Sequence, residues 1–325
     1  MIELFLLILG LIGLFIGSGL VVEAVKKLST TFGISHTFIG LTVISIGTSL
    51  PEIATNISAG LKHASGIAIG TNIGSCLAQI TLIFGITGLI GYLHGRKHTL
   101  KRNGFMVLFA IAMMFIVGFF IGNSVTDNII TWYEGLFLII IYLVYLIYLV
   151  KKENFRIKVR DGIKLSTREE KIQNLKNLFY MIIGISVLVY AAHIVVQNAI
   201  KLSQAWGVAE SFVGVMIIGV GAGLPELSTA IRGIMKKAGD ISVGTLIGSN
   251  ITDPLFSLGA GAVAAGSTGL LVEKNLLFFD IPFWFLATVI AIGFLLSKNR
   301  LDKKEAVFLL LIYATFVFMK IKYFA

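Results

Sequence analysis

Charge is scarce in this chain, and so are cysteine and proline. Of 325 residues only 14% are Asp, Glu, Lys or Arg, against 56% hydrophobic, and the mean hydropathy is +0.91. Soluble domains carry roughly 25% charged residues, so a water-soluble globular fold is excluded. The one cysteine, Cys76, allows no intramolecular disulfide and fits neither a zinc nor an iron–sulfur site, which removes redox chemistry from the expectations. No glycine-rich phosphate loop, Walker signature or nucleophile–base arrangement is present either. An ATP-driven pump is therefore excluded, and neither an enzyme nor a cofactor is expected.

What the chain has instead is apolar length. A hydrocarbon core about 30 Å thick takes ~20 apolar residues per helix, and ten candidate spans follow at about 3–25, 34–61, 66–92, 104–122, 128–150, 177–200, 209–231, 240–270, 275–296 and 305–323. The expected fold is an all-α membrane protein with ten transmembrane helices. The opening stretch MIELFLLILGLIGLFIGSGL has no basic residue ahead of its apolar run and no clean small-residue cleavage site, so it reads as helix 1, not as a secretory signal. The net charge of +10 is a topology signal, because Lys and Arg are retained on the cytoplasmic side. Twenty-two basic residues fall on alternate connections of one side, nine of them between Lys151 and Lys176, and only Lys62, Lys201, Lys274, Lys320 and Lys322 fall on the other. Both termini are thus expected outside, with the basic loop 151–176 cytoplasmic. Membrane lipid is the expected partner and nucleic acid is not. Anionic-lipid attraction is the alternative to a plain solvated linker for 151–176.

The chain also repeats itself. An offset of 174 residues aligns 19–79 with 193–253 without a gap, setting FIGLTVISIGTSLPEIATNI over FVGVMIIGVGAGLPELSTAI and GTNIGSCLAQ over GTLIGSNITD. Five helices per half is an odd number, so the second half enters the membrane from the opposite side. The expectation is two inverted five-helix repeats, 1–150 and 177–325, joined by 151–176. Secondary transporters of this kind bind their cargo near the midplane, on interrupted helices.

The interruptions are legible. Pro51 and Pro225 each lack an N–H donor and push against the carbonyl four residues back, so helices 2 and 7 are expected to break there. Glu52 and Glu226 follow immediately, at a depth where an acid without a partner costs about 2.5–3.5 kcal/mol or more. Thr71, Ser75 and Gln79 form a polar stripe spaced by four, as do Thr245, Ser249 and Asp253. Carboxylate and carbonyl oxygens facing each other make a hard-cation cage, and Ca²⁺, with 6–8 flexible oxygen ligands, suits it better than Mg²⁺. Elsewhere, Glu23 is expected to pair with Lys26 or Lys27, Glu134 and Asp280 to lie at the interface, and His193 to be a hydrogen-bonded packing residue.

The segments GTSLPE and GLPE, each followed by a GS helix, resemble the two alpha repeats of the calcium/cation antiporter superfamily, specifically its prokaryotic sodium/calcium exchanger branch. The resemblance implies a secondary antiporter with Glu52 and Glu226 binding Ca²⁺, helped by the backbone carbonyls of Thr48 and Ala222. It implies one flanking Na⁺ site at the Ser45 carbonyl, Ser49, Ser75 and Glu52, and its mirror at the Gly219 carbonyl, Ser249 and Glu226. Gln79 and Asp253 are implied to share the central position. Three departures bear on this pattern: Gly223 lacks the expected hydroxyl, Gln79 stands where Asn is usual, and Pro254 follows Asp253. The alternative counter-ion is a proton, which carboxylates in a dry site can carry. A non-transporting cation sensor or scaffold is the alternative of another class; duplicated midmembrane acids count against it, and inverted halves count against a channel.

Overall fold

The computed structural model describes residues 2–31, 44–91, 93–95, 97–121, 128–152, 168–235 and 239–324. In a bilayer no water meets the backbone, so each apolar run closes its own N–H and C=O groups as helix. In chain order these are α1 Ile2–Thr31, α2 Ile44–Thr48, α3 Leu50–Leu61, α4 Ser65–Ala78, α5 Phe84–Ile90, α6 Lys97–Ile116, α7 Trp132–Lys152 and α8 Arg168–Trp206. They continue with α9 Glu210–Val213, α10 Gly219–Ala222, α11 Leu224–Met235, α12 Gly239–Thr252, α13 Leu258–Ala265, α14 Ile281–Lys298 and α15 Lys303–Phe324. Single π turns join several of them into longer rods. Among the described residues eight helical rods are long and apolar enough to cross a membrane. Of the expected spans, 34–61 falls partly outside the described residues. The rod of α12 and α13, which carries Ser249, Asn250 and Asp253, does not belong to that apolar set. Helix α8 is longer than expected: it begins at Arg168, inside the segment read as linker, and runs to Trp206.

Two short ladders tie connections together. β1 Leu93–His94 pairs with β4 Arg300–Leu301, and β2 Ile129–Ile130 with β3 Leu270–Leu271, both antiparallel. Each ladder joins connections that the charge pattern assigns to one and the same side.

The helices meet backbone to backbone. Lipid tails are as apolar as Leu, so association in a membrane relies on close packing, and small residues permit it. Helix α1 lies along α8, where a Cβ on Gly10 would stand 2.6 Å from Val195 Cγ2 and one on Gly184 2.8 Å from Val21 Cγ2. These two contacts are related by the 174-residue offset. Helix α4 crosses the α9–α10 rod just as closely: a Cβ on Gly70 would fall 2.7 Å from the Ser211 carbonyl, and one on Gly219 2.6 Å from Ser75 N.

Three polar residues depart from expectation. Asp280 is fully buried and forms an ion pair with Lys320 at 2.5 Å, both side chains at 0% exposure. The ammonium also lies 5.1 Å from the Phe324 ring centroid, beside a cluster of Phe279, Phe283 and Phe316. Glu134 is buried too, because it closes the first turn of α7: its Oε2 accepts from Thr131 N at 2.7 Å and Thr131 Oγ1 at 2.6 Å. His193 is exposed on α8 and not packed, and its carbonyl accepts from Lys62 Nζ at 3.0 Å. Glu23 does pair with Lys27, at 2.8 Å.

Breaking a buried ion pair by removing one partner costs about 3–5 kcal/mol, whereas replacing both with apolar residues is often neutral. Thermal unfolding in detergent should therefore find Asp280→Asn strongly destabilised and the double variant Asp280→Leu, Lys320→Met close to wild type. A single variant as stable as wild type would contradict the pairing.

Candidate cation site

The sequence SLPE at 49–52 has the form of a capping box, Ser at the N-cap and Glu at the third helical position. It does not act as one. Ser49 adopts φ −80°, ψ 2° between α2 and α3, and makes no side-chain cap hydrogen bond. Gly223, 174 residues on, takes φ −75°, ψ 0° between α10 and α11. Each break is one residue wide, and the helix resumes at once: Ile53 N donates to Ser49 O at 3.0 Å and Leu227 N to Gly223 O at 3.1 Å. Glu52 and Glu226 thus stand on the first turns of α3 and α11, where helix N-termini favour negative charge.

The polar stripes meet these acids. Ser75 Oγ donates to Glu52 Oε1 at 2.7 Å, and Ser249 Oγ to Glu226 Oε1 at 3.2 Å. Both stripes turn into π helix at equivalent positions, Gln79–Ile83 after α4 and Asp253–Ser257 after α12. Pro254 accounts for the second by removing an N–H donor; Ile80 occupies its place in the first. Such widened turns favour functional sites.

Behind Glu52 runs a directed relay. Trp284 Nε1 donates to Asn250 Oδ1 at 3.2 Å, Asn250 Nδ2 to Gln79 Oε1 at 2.8 Å, and Gln79 Nε2 to Ser75 Oγ at 3.0 Å. Every donor points toward the carboxylate, an arrangement in which hydrogen bonds strengthen one another. Gln79 is consequently held at both ends of its amide. Asp253 is held differently: Cys76 Sγ lies 3.7 Å from Oδ2, and Asn72 Nδ2 donates to its backbone carbonyl at 2.6 Å. Asn56 Nδ2 donates within α3 to Glu52 O at 2.9 Å and across to Ser257 Oγ at 3.0 Å, and the second bond fastens α3 to the Asp253 turn.

What remains is a surplus of acceptors. Glu52, Glu226 and Asp253 are each 0% exposed, and each leaves one carboxylate oxygen with no partner, Oε2, Oε2 and Oδ1. Ser49 Oγ and Thr71 Oγ1 are buried without partners as well. Every such buried atom among the described residues is an oxygen. Carboxylate oxygens can only accept, so a cation or protons must balance them. No three acidic, cysteine or histidine side chains among the described residues converge to hold a metal by themselves. A cation here needs hydroxyl, amide and backbone oxygens too.

The remaining predicted positions surround the same place. Thr48, at the end of α2, stands beside Glu226, with its Oγ1 3.4 Å from Ser249 Oγ. Ala222 is buried at the end of α10 and has no hydroxyl to match it. The Gly219 carbonyl accepts from Gly223 N at 3.2 Å. Ser45 lies in α2, and its side chain is outside the described set. Sequence reasoning missed Asn250, Asn72 and Asn56. Their signal was spacing: Asn56 lies one turn after Glu52, and Asn250 adjoins Ser249.

Replacing Asn250 by Leu would leave Gln79 Oε1 and Trp284 Nε1 unbonded, at about 1–3 kcal/mol each. The melting temperature of Asn250→Leu in detergent should fall clearly, and a wild-type value would contradict the relay.

The family model described as sodium/calcium exchanger protein matches residues 2–151 and 176–322. Inner membrane protein YrbG of Escherichia coli (strain K12) is 33% identical over 264 residues, covering 79% of this chain and 78% of the relative. Sodium/calcium exchanger MaX1 of Methanosarcina acetivorans is 26% identical over 340 residues, 96% of both chains. A solved structure of the sodium-calcium exchanger NCX_Mj, soaked with 100 mM Na⁺ and 10 mM Sr²⁺, superposes with a TM-score of 0.64 at 25% identity, covering 99% of this chain and 98% of the other. With 297 of its 325 positions inside the matched ranges, the chain belongs to the sodium/calcium exchanger protein family.

Proposed function

We propose that this protein is a secondary antiporter that moves Ca²⁺ against Na⁺ by alternating access. Cation antiport follows from family membership; Na⁺ as the counter-ion is the finer reading. The observation that carries it is the pair of fully buried acids, Glu52 and Glu226, each beside a helix break and each with an unpartnered oxygen.

In this reading the chain has ten spans in two inverted halves. Its support is that the breaks at Ser49 and Gly223, the π turns from Gln79 and Asp253, and the Gly10–Val195 and Gly184–Val21 contacts all repeat at the 174-residue offset. The basic side, with the segment 151–176, faces the cytoplasm of a prokaryotic cell, and both termini face outside. Ca²⁺ sits between Glu52 and Glu226, with the Thr48 and Ala222 carbonyls and the free oxygen of Asp253 near it. One Na⁺ site uses the Ser45 carbonyl, Ser49, Ser75 and Glu52. Its mirror uses the Gly219 carbonyl, Ser249 and Glu226, and lacks one hydroxyl because Gly223 replaces a serine. Gln79 tunes the Glu52 side through Ser75.

Proteoliposomes loaded with Na⁺ and diluted into radioactive calcium test the site. Glu52→Gln and Glu226→Gln should each abolish uptake while folding as wild type, since each removes charge without changing shape; uptake at wild-type rates in either would overturn the assignment.

Gly223 favours a second reading, Ca²⁺ against H⁺, because a site short of one oxygen holds Na⁺ weakly. A Cβ at Gly223 would meet Ile83 Cδ1 at 3.4 Å, an ordinary contact, and its φ of −75° suits any residue. Gly223→Ser should therefore fold and raise Na⁺ affinity or cooperativity with little change in Ca²⁺ affinity. An unchanged Na⁺ titration contradicts the incomplete site, and wild-type uptake driven by a pH gradient alone puts the proton first.

A further inference from the structure

Cys76 is the one cysteine of the chain and is fully buried in α4. Its counterpart at the 174-residue offset is Asn250 of α12, and the two make mirrored contacts. Asn250 Nδ2 donates to Gln79 Oε1 at 2.8 Å, while Cys76 Sγ stands 3.7 Å from Oδ2 of Asp253, which is the counterpart of Gln79. Each half thus sends one side chain to the end of the other's polar stripe. One of these corners sets amide against amide, neutral and hard. The other sets a thiol against a carboxyl.

A free cysteine that only packs behaves as a small hydrophobe and needs no charged neighbour. Cys76 has three: Asp253, Glu52 and Glu226 all lie near enough to act on it electrostatically. Asp253 keeps its Oδ1 without a partner at 0% exposure, and the hydroxyl of Ser49, also buried and unpartnered, lies near the same carboxyl. The corner therefore holds one sulfur and unspent oxygens of two kinds. Its spacing suits coordination. An ion bound tetrahedrally at Zn²⁺ distances, about 2.3 Å to sulfur and 2.0–2.2 Å to oxygen, separates those two atoms by about 3.6 Å. The observed 3.7 Å lets a cation take the place of the thiol proton with little movement of either helix. Thiolate and carboxylate then offer two negative charges to a divalent ion, and sulfur selects soft cations over hard ones. A structural zinc site has four such ligands, whereas this corner has two. The ion it takes is accordingly exchangeable, with the rest of its coordination supplied by neighbouring oxygens.

We infer that Cys76 and Asp253 form a binding corner for thiophilic divalent cations, of which Cd²⁺, close to Ca²⁺ in size, fits best. Binding breaks the Sγ–H bond and forms an Sγ–metal bond; the proton passes to buffer in the medium, and nothing is oxidised or reduced. Ca²⁺ takes oxygen ligands and gains nothing from the sulfur, so the thiol tilts the site toward soft ions that compete with the proposed cargo. Entry of the ion rests on the proposed alternating access; its coordination does not.

A thiolate–Cd²⁺ charge-transfer band in the ultraviolet can come only from Cys76, because the chain has no other cysteine. Titration of the full chain in detergent at low Na⁺ should raise that band to saturation at one Cd²⁺ per chain, and added Ca²⁺ should remove it. In proteoliposomes Cd²⁺ should inhibit calcium uptake. The ratio of inhibitory Cd²⁺ to half-saturating Ca²⁺ should rise in Cys76→Ser by roughly tenfold to a hundredfold, the range over which metal affinity falls when a supporting residue of a metal site is lost. Cys76→Asn, which repeats the residue of the other half, should do the same and keeps the test in force if the serine variant folds poorly. No band in wild type, a band that Ca²⁺ leaves intact, or an unchanged ratio in either variant that folds would overturn the corner. A wild type that gives the band but takes up no calcium refutes the antiport and leaves the corner standing.

Discussion

A carboxylate taken out of water must be given donors, a counter-ion or a proton, and the centre of this bundle gives its three acids fewer donors than they can accept. Serines 75 and 249 satisfy one oxygen each of Glu52 and Glu226, and a cysteine thiol approaches Asp253. One oxygen of each acid stays unpartnered. At about 2.5–3.5 kcal/mol or more for each unpaired charge at bilayer depth, such a surplus is tolerable only if something positive arrives. A site that is unstable when empty and stabilised when filled is suited to hold, release and exchange cations, which is why antiport and buried acids belong together.

The rest of the fold keeps that surplus in place. Glycines let α4 approach the α9–α10 rod so closely that Ser75 N lies beside the Gly219 backbone, and the Ser75 hydroxyl is thereby presented to Glu52. Asn56 and Asn72 tie α3 and α4 to the π turn at Asp253 through Ser257 Oγ and the Asp253 backbone carbonyl, leaving the acid's side chain for the site. The two halves are not equal. Glu52 has a relay reaching back to Trp284, Glu226 has Ser249 and Thr48 beside it, and the hydroxyl of Ser49 at the first break has only Gly223 as its counterpart at the second. Unequal halves give the proposed cation sites unequal affinities.

Much of this was written locally in the chain. Proline fixed where the helices stop, so Ser49 and Gly223 were legible as breaks from Pro51 and Pro225, and the 174-residue offset tied the two sets of site residues together. The π turn at Asp253 was foreshadowed by Pro254. The one at Gln79 was not, since Ile80 carries no such signal. The relay was illegible for a related reason: Gln79, Asn250 and Trp284 meet only in three dimensions, and no spacing rule links them. Asp280 looked interfacial because it lies near a helix end, and Lys320 was counted with the outer connections, yet phenylalanines lie beside the two and the pair is fully enclosed. The start of α8 at Arg168 was hidden by charge, because a helical turn of charged residues reads in sequence like a polar linker.

The central claim is that Glu52 and Glu226 share one cation, completed by hydroxyl, amide and backbone oxygens. Crystals of the protein soaked in Sr²⁺, measured at a wavelength where strontium scatters anomalously, address it directly. The account predicts a single strong anomalous peak within coordination distance of both glutamate side chains, lost when Na⁺ is raised. A peak elsewhere, or none while both glutamates keep their present partners, would contradict it.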